Sequence, residues 1–555
     1  MHQKLPARVV TPVIRCIWLA LSCAVLATAA ACSNNGLSSA PYRVETLVSG
    51  GPMHGAKGIS FGPDGRLYVC SVQAQSIYRV DVATGETATA VPAPDGECDD
   101  IAFAPDGTMA WTAIASSEIR ARRPSGDVYR VATRLPLVNP LGYTADGRLF
   151  AAQVGIDRFL EIDPAGSKPP RVLAKGIGNL NSFEITADGR LYGPLAGVGA
   201  VARIDLESGA IEPVATNLGM LSAVNLDSRG QIYAIGWSSG TLWKIDPQNG
   251  AARIVTTLEP PLDNLAIGPD DAVYVSQPAR GAILRVDPAS GEQRVVVPGN
   301  LSMPGGLALA TGQERETLVV ADDFGFRLVD TESGAVSALA DLANFMDPPA
   351  ATDVALNDDV IVLSDVARSR VYMVDRRTAR TLHKWPIAGK PYGVALLDSG
   401  DPVVADFAGG KLLRLSRTDR QSREVIAAGL SGPVGLLAAG SSALYVSEAL
   451  AGRLLRVSLE DGSTVIVREG LDQPEGLTLL ADRRIGVVEA GAQRVSAIDP
   501  ETGATEILAS GLPIGDSVPG TPAPVHVPSG IAAGRNGVLY LTSDRDQSVL
   551  RLVPR

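Results

Sequence analysis

GISFGPDGRLYVCSVQAQSIYRVDVATGETATAV, residues 58–91, is the stretch whose reading decides the fold. Four short strands are written into it. GISF is apolar and β-rich, and Pro63-Asp64-Gly65 supplies a hairpin turn. RLYVCSV and SIYRVDV alternate, and Ala83-Thr84-Gly85 turns the chain into ETATAV. Alternation broken every few residues by Gly, Asp or Pro is the pattern of antiparallel strands with one covered face.

The phrase then returns. CDDIAFAPDG opens at 98, NPLGYTADGRLF at 139, NSFEITADGRLY at 181, SAVNLDSRGQIY at 222 and DNLAIGPDDAVY at 263. MPGGLALATG follows at 303, TDVALNDDVIVLSD at 352, YGVALLDSGDPVVAD at 392, VGLLAAGSSALYVSE at 434, EGLTLLADRRIGVVE at 475 and SGIAAGRNGVLYLTSD at 529. The spacing is about 40–54 residues, which makes twelve units. A DxxxG turn follows many third strands, from Asp81–Gly85 to Asp499–Gly503.

A lone four-stranded sheet cannot cover both its faces, and radial stacking covers them. The expected fold is therefore all-β, two tandem six-bladed β-propellers built from twelve four-stranded blades. YRVETLV (42–48) is an extra leading strand, and the last unit stops at VLRLVPR without a fourth strand. The leading strand is expected to close blade six, and EQRVVVPG (292–299) to close blade twelve. The domains then run 42–291 and 292–555. A single twelve-bladed ring satisfies the same strand count, with a very wide channel.

Composition agrees with this reading. The 555 residues include 58 Gly and 38 Pro, as a turn-dense β chain requires. The net charge of −11, with no basic cluster to meet phosphates, argues against a nucleic-acid partner. A 45% hydrophobic fraction with 20% charged residues suits a folded chain.

The first residues read as an export signal. Lys4, Arg8 and Arg15 precede an apolar run from Cys16 to Ala31, too short for a membrane span of about 20 residues. Ala29-Ala30-Ala31-Cys32 and the polar linker after it resemble a bacterial lipoprotein signal. That resemblance implies a signal peptide at 1–31, a linker at 32–41 and a lipid on Cys32. Ordinary cleavage after the alanines is the alternative. An uncleaved anchor is a third reading. The product is expected to be exported, periplasmic or cell-surface, and in the lipoprotein reading touches a membrane only through its N-terminal lipid. Cys70 and Cys98 are then the thiols of the folded body, at neighbouring blades on one rim. A disulfide is expected between them.

The phrases PDGRLYV, P-x-G-L and V-A-D-x₄-R resemble NHL-type repeats and the related gluconolactonase and streptogramin-lyase propellers over residues 42–555. In such wheels the first strand of each blade lines the axis. Eight residues before the last position of the first hairpin turn, a Gly in five units and Asp271 in the sixth, stand Lys57, Asp99, Asn139, Asn181, Ser222 and Asp263; the second wheel offers Gly305, Thr352, Tyr392, Val434, Glu475 and Ser529. Carboxylate and amide oxygens converging on an axis suit Ca²⁺ or another divalent cation. The resemblance implies Asp99, Asn139, Asn181 and Asp263 as metal ligands, with Lys57 and Ser222 beside a substrate. Asp263 is a candidate proton acceptor. Lys57 stands where the gluconolactonase pattern has Glu. Streptogramin lyase uses a His as acid–base, which makes His526 a second catalytic candidate.

A further regular set comprises Asp322, Asp365, Asp406, Glu448 and Glu489, each with Arg or Lys five residues later. Its expected role is a structural brace. Two functions follow from the sequence. The favoured one is a lipid-anchored double propeller that binds a protein, glycan or small molecule through its loops. The alternative is a metal-dependent lactonase- or esterase-type hydrolase, or a lyase, in the first mouth.

Overall fold

The structure is a computed structural model that describes residues 41–310, 315–338, 350–419, 421–516 and 527–555. The signal peptide, most of the linker, Cys32 and His526 lie outside the described residues. Residues 40–555 form one compact unit. Among the described residues, forty-eight strands make twelve four-stranded antiparallel sheets. The one helical element there is a 3-10 turn at Arg535–Gly537. This architecture fits a β-propeller. No helix among the described residues is long and apolar enough to cross a membrane.

The local reasons are those read in the first unit. Strands Ile59–Phe61, Leu67–Ser71, Ser76–Val80 and Thr87–Val91 pair in chain order. Gly65 at the first hairpin has φ +73°, a conformation in which a Cβ is strained. In the DxxxG turn, Asp81 Oδ1 accepts the amides of Ala83 and Thr84, and the Gly85 amide donates to the Asp81 carbonyl. Asp205, Asp287, Asp330 and Asp499 repeat the same two carboxylate caps.

Packing between sheets supplies the core. Twelve apolar clusters each sit between two sheets. Most join sheets consecutive in the chain. Two do not. One packs Val69 and Val80 of the first sheet against Tyr274 and Ile283 of the sixth. The other packs Leu318 and Val320 of the seventh sheet against Tyr540 and Val549 of the last. The innermost strands repeat the pattern: Ile59–Phe61 touches Leu265–Ile267, and Leu307–Ala310 touches Ile531–Ala533. Glycine allows the close approach. A Cβ on Gly530 would stand 2.6 Å from Gly306 Cα, and one on Gly58 would stand 2.5 Å from the Asp99 carbonyl oxygen.

The edge strands depart from expectation. Tyr42–Val48 pairs with Val549–Pro554 in the last sheet, not with the sixth. Gln293–Val297 pairs with Ala282–Val286, so it completes the sixth sheet and not the twelfth. The boundary expected between 291 and 292 therefore falls inside a hairpin. The reason is loop closure: a short turn at Asp287–Gly291 costs little entropy, and the strand after it stays with its neighbour. That leaves the last sheet one strand short, and 42–48 fills the gap.

Candidate functional site

The innermost strands of the first, second and sixth sheets are each preceded by a residue pinned at one end of the sheets, the mouth face. Lys57, Asp99 and Asp263 donate their amides to Cys70, Thr112 and Ser276 carbonyls on the second strand of their own sheets. Three sheets thus deliver one ammonium and two carboxylates to one place. Lys57 Nζ lies 3.9 Å from Asp263 Oδ1, and the two side chains are 16% and 18% exposed. Asp99 is buried. Above them sit a turn of the fifth sheet and a turn of the seventh. Lys57 Nζ lies 5.8 Å from the Trp237 ring centre and 5.3 Å from that of Phe324, and the rings are 6.4 Å apart. Asp323, next to Phe324, accepts the Gln73 side-chain amide.

The charges in this box are unequal. Burial, the largest influence on Lys57, pulls its pKa down, but Asp263, Asp99 and Asp323 outweigh it and hold the ammonium above its ordinary range. Burial raises the carboxyls in turn, against the pull of Lys57. Asp99 is raised, and Asp263 and Asp323 each stand at about 6. One ammonium does not neutralise three desolvated carboxylates.

The box also joins the first six sheets to the last six. His54 Nε2 bonds the Asp544 carbonyl at 2.6 Å and the Gln547 side chain at 2.7 Å. Arg327 Nη2 donates to the Ala279 carbonyl at 3.0 Å, and the Gly51 amide to that of Asp546 at 3.2 Å. The seventh-sheet turn at Asp323–Phe324 therefore lies against Lys57 and Gln73 of the first sheet.

Other expected site residues are placed differently. Ser222 is buried, and its hydroxyl donates to the Leu262 carbonyl at 2.7 Å, so it binds its neighbour sheet and is not presented to a ligand. Asn139 and Asn181 are half-buried, and neither side chain hydrogen-bonds Asp99 or Asp263. Among the described residues no group of three or more His, Cys, Asp or Glu is placed to hold a metal. The Cys70 and Cys98 sulfurs meet at 1.93 Å, with Cα atoms 4.9 Å apart.

One residue further along the same strands lies a network the sequence reading passed over. Asn264 Nδ2 donates to Asp100 Oδ1 at 3.0 Å and to Ser182 Oγ at 2.9 Å, and Ser182 Oγ donates to Asp100 Oδ2 at 3.0 Å. Asn225 Nδ2 donates to Glu184 Oε2 at 3.0 Å. Burial pushes both Asp100 and Glu184 up to about 7. These residues line a cavity of about 140 Å³. Acid or amide at two successive positions, Asp99-Asp100 and Asp263-Asn264, was the available signal.

In the last six sheets the repeated acids are buried braces; the base five residues on pairs with Asp322, Glu448 and Glu489, Asp365 takes Arg368, and Asp406 holds backbone amides instead of Lys411. Glu489 accepts Arg494 through both oxygens at 2.8 Å and also the Asp472 amide at 3.1 Å. Glu448 takes Arg453 and the Ser431 amide at 2.6 Å each. Asp406 accepts the amides of Lys390 and Gly409. Each acid ties the loop leading into its sheet to the end of the second strand. At the corresponding end of the eleventh sheet, Glu475 is buried beside Ser529 of the twelfth, whose amide it accepts at 2.6 Å. Burial and then Asp544 raise it well above the ordinary range.

No protein-family model and no curated protein matches the chain. Among solved structures it is similar to a nidogen/laminin complex at 17% identity and TM-score 0.37, over 40% of this chain and 89% of that one. It is also similar to the extracellular domain of a one-component system from B. thetaiotaomicron, at 11% identity and TM-score 0.32, over 90% and 75%. The tricorn protease matches at 13% identity and TM-score 0.33, over 83% and 48%. At these identities and scores none of the three carries an assignment for this chain.

Proposed function

We propose that this chain is an exported binding protein made of two six-bladed wheels, with its ligand or partner held between their mouth faces. Two observations support the wheels: the first sheet packs on the sixth, and the seventh on the twelfth. The first wheel then spans the sheets from Ile59 to Val297, and the second takes Tyr42–Val48 and the sheets after Leu307. The NHL- and gluconolactonase-type resemblance belongs to this proposal, as do the lipid on Cys32 and the Cys70–Cys98 bridge.

The observation that carries the binding reading is the Lys57 box. Two aromatic rings and three carboxylates from both wheels converge at one mouth. Apolar walls with a few convergent, electrostatically perturbed polar groups are the usual make-up of a ligand site. Metal-dependent ester or lactone hydrolysis by Asp99, Asn139, Asn181 and Asp263 fits less well, because the Lys57 ammonium occupies the electrostatic place of a cation beside Asp263.

Native mass spectrometry of the chain isolated from its own cell envelope tests the binding reading. A molecule retained by the wild type and lost from a Trp237→Ala, Phe324→Ala variant supports it. Equal retention by the variant refutes it. Calcium-dependent δ-gluconolactone hydrolysis that disappears in Asp263→Asn would favour the enzyme reading instead.

A further inference from the structure

Three exposed apolar side chains stand on consecutive sheets of the mouth face: Leu137 at 47% exposure, Val198 at 62% and Met220 at 57%. Leu137 precedes the first strand of the third sheet, Val198 lies in the second hairpin turn of the fourth, and Met220 precedes the first strand of the fifth. The backbone holds each in place. The Val154 amide donates to the Leu137 carbonyl at 3.0 Å, and the Val198 amide to the Leu195 carbonyl at 3.0 Å. The Trp237 amide donates to the Met220 carbonyl at 3.0 Å, which ties the two backbones together at this face. The row therefore runs from Leu137 through Val198 and Met220 to Trp237, and ends at the acidic box.

Among the described residues acting on the box, carboxylates outnumber cations. Asp99, Asp263 and Asp323 face the Lys57 ammonium; the Arg368 guanidinium of the eighth sheet also acts there and pairs with Asp365 at 3.3 Å. Glu97 adds to the negative potential at Asp99. Excess negative potential in a partly desolvated cleft attracts a cation, and an aromatic face beside it adds cation–π attraction.

From these two features we infer that the cleft takes an extended polypeptide segment that places an Arg or Lys side chain at the box and apolar neighbours along the row. The inference rests on the binding reading above. An apolar row spread over three successive sheets favours a chain of several residues over a small amine, and the charge imbalance favours a basic one.

The test uses three peptides, acetyl-Leu-Ala-Arg-Leu-Ala-amide and its Arg→Gln and Arg→Glu forms, titrated calorimetrically into the full chain at low salt. Hydrogen exchange is followed over residues 217–240. The Arg peptide is expected to bind at least 10-fold more tightly than the Gln peptide, and to protect that segment. In Asp323→Asn, Asp263→Asn the preference is expected to fall to within about 2-fold. In Val198→Ser, Met220→Ser all three peptides are expected to weaken by a similar factor, since the row does not read charge. Equal binding of the Arg and Gln peptides, with protection of 217–240, would overturn the charge inference while leaving the binding reading in place. Binding without that protection, or no binding at all, would overturn the peptide assignment, and the retention experiment above then judges the binding reading by itself. Arginine methyl ester binding as tightly as the Arg peptide would overturn the extended segment.

Discussion

Lys57→Met removes the single ammonium from the box and leaves Asp99, Asp263 and Asp323 facing one another under Trp237 and Phe324. Breaking a buried ion pair from one side costs about 3–5 kcal/mol. Lys57 and Asp263 keep 16% and 18% of their side-chain surface, so the lower end, about 3 kcal/mol, is the expected loss at pH 8. If the proposed wheel of about 250 residues melts as a unit, each kcal/mol moves Tm by about 2–4 °C, so its transition should fall by about 6–12 °C.

The pH dependence follows from the direction of the shifts. Asp263 and Asp323 titrate near about 6 in the folded chain, above an unfolded value of about 3.9. Groups raised in this way favour the folded state most below the unfolded value, and that contribution is lost as pH rises through the folded value. Without Lys57 to hold them down, both folded values climb further, and the loss extends to higher pH. The deficit of Lys57→Met relative to the wild type should therefore be greatest at pH 8 and at least halved at pH 5. Scanning calorimetry at both pH values measures it. Adding Asp263→Asn and Asp323→Asn should recover more than half of the pH 8 loss. A Lys57→Met chain as stable as the wild type at pH 8, or an equal deficit at both pH values, would refute the reasoning.

Three other predictions concern the frame. Glu489→Ala strands the Arg494 guanidinium and the Asp472 amide, and should cost about 2–4 kcal/mol, read as a lower denaturant midpoint. Deleting 42–48 leaves the last sheet with three strands, so calorimetry should show a lower Tm, confined to the later transition if the two proposed wheels melt separately. The Cys70→Ser, Cys98→Ser pair opens a loop with a sequence separation of 28, and should cost about 3–4 kcal/mol in the chain-entropy account. A non-reducing thiol assay of the wild type checks that the bridge is formed.

Much of the site was legible because its spacing is tied to the repeat. Counting back from the first hairpin turns, at Gly65, Gly107 and Asp271, reached Lys57, Asp99 and Asp263, which do converge. The same count reached Ser222, whose hydroxyl turns into the neighbouring sheet, because a period assigns a residue to a strand end and not its rotamer to a partner. Trp237, Asp323 and Phe324 were not found. They sit in turns where the repeat constrains length more than chemistry, and their role exists only where two distant sheets meet.

Period-two patterning, turn glycines and aspartates acting within a few residues are enough to write forty-eight strands and to group them into twelve sheets. Those interactions are local, so the amino-acid order by itself determines them. The partner of 42–48, the packing of the seventh-sheet turn against Lys57 of the first sheet and the unequal charges of the Lys57 box were decided only by the tertiary structure. Near-identical repeats offer near-identical edges, and choosing among them takes loop-closure entropy and burial summed over contacts hundreds of residues apart, which no single repeat encodes.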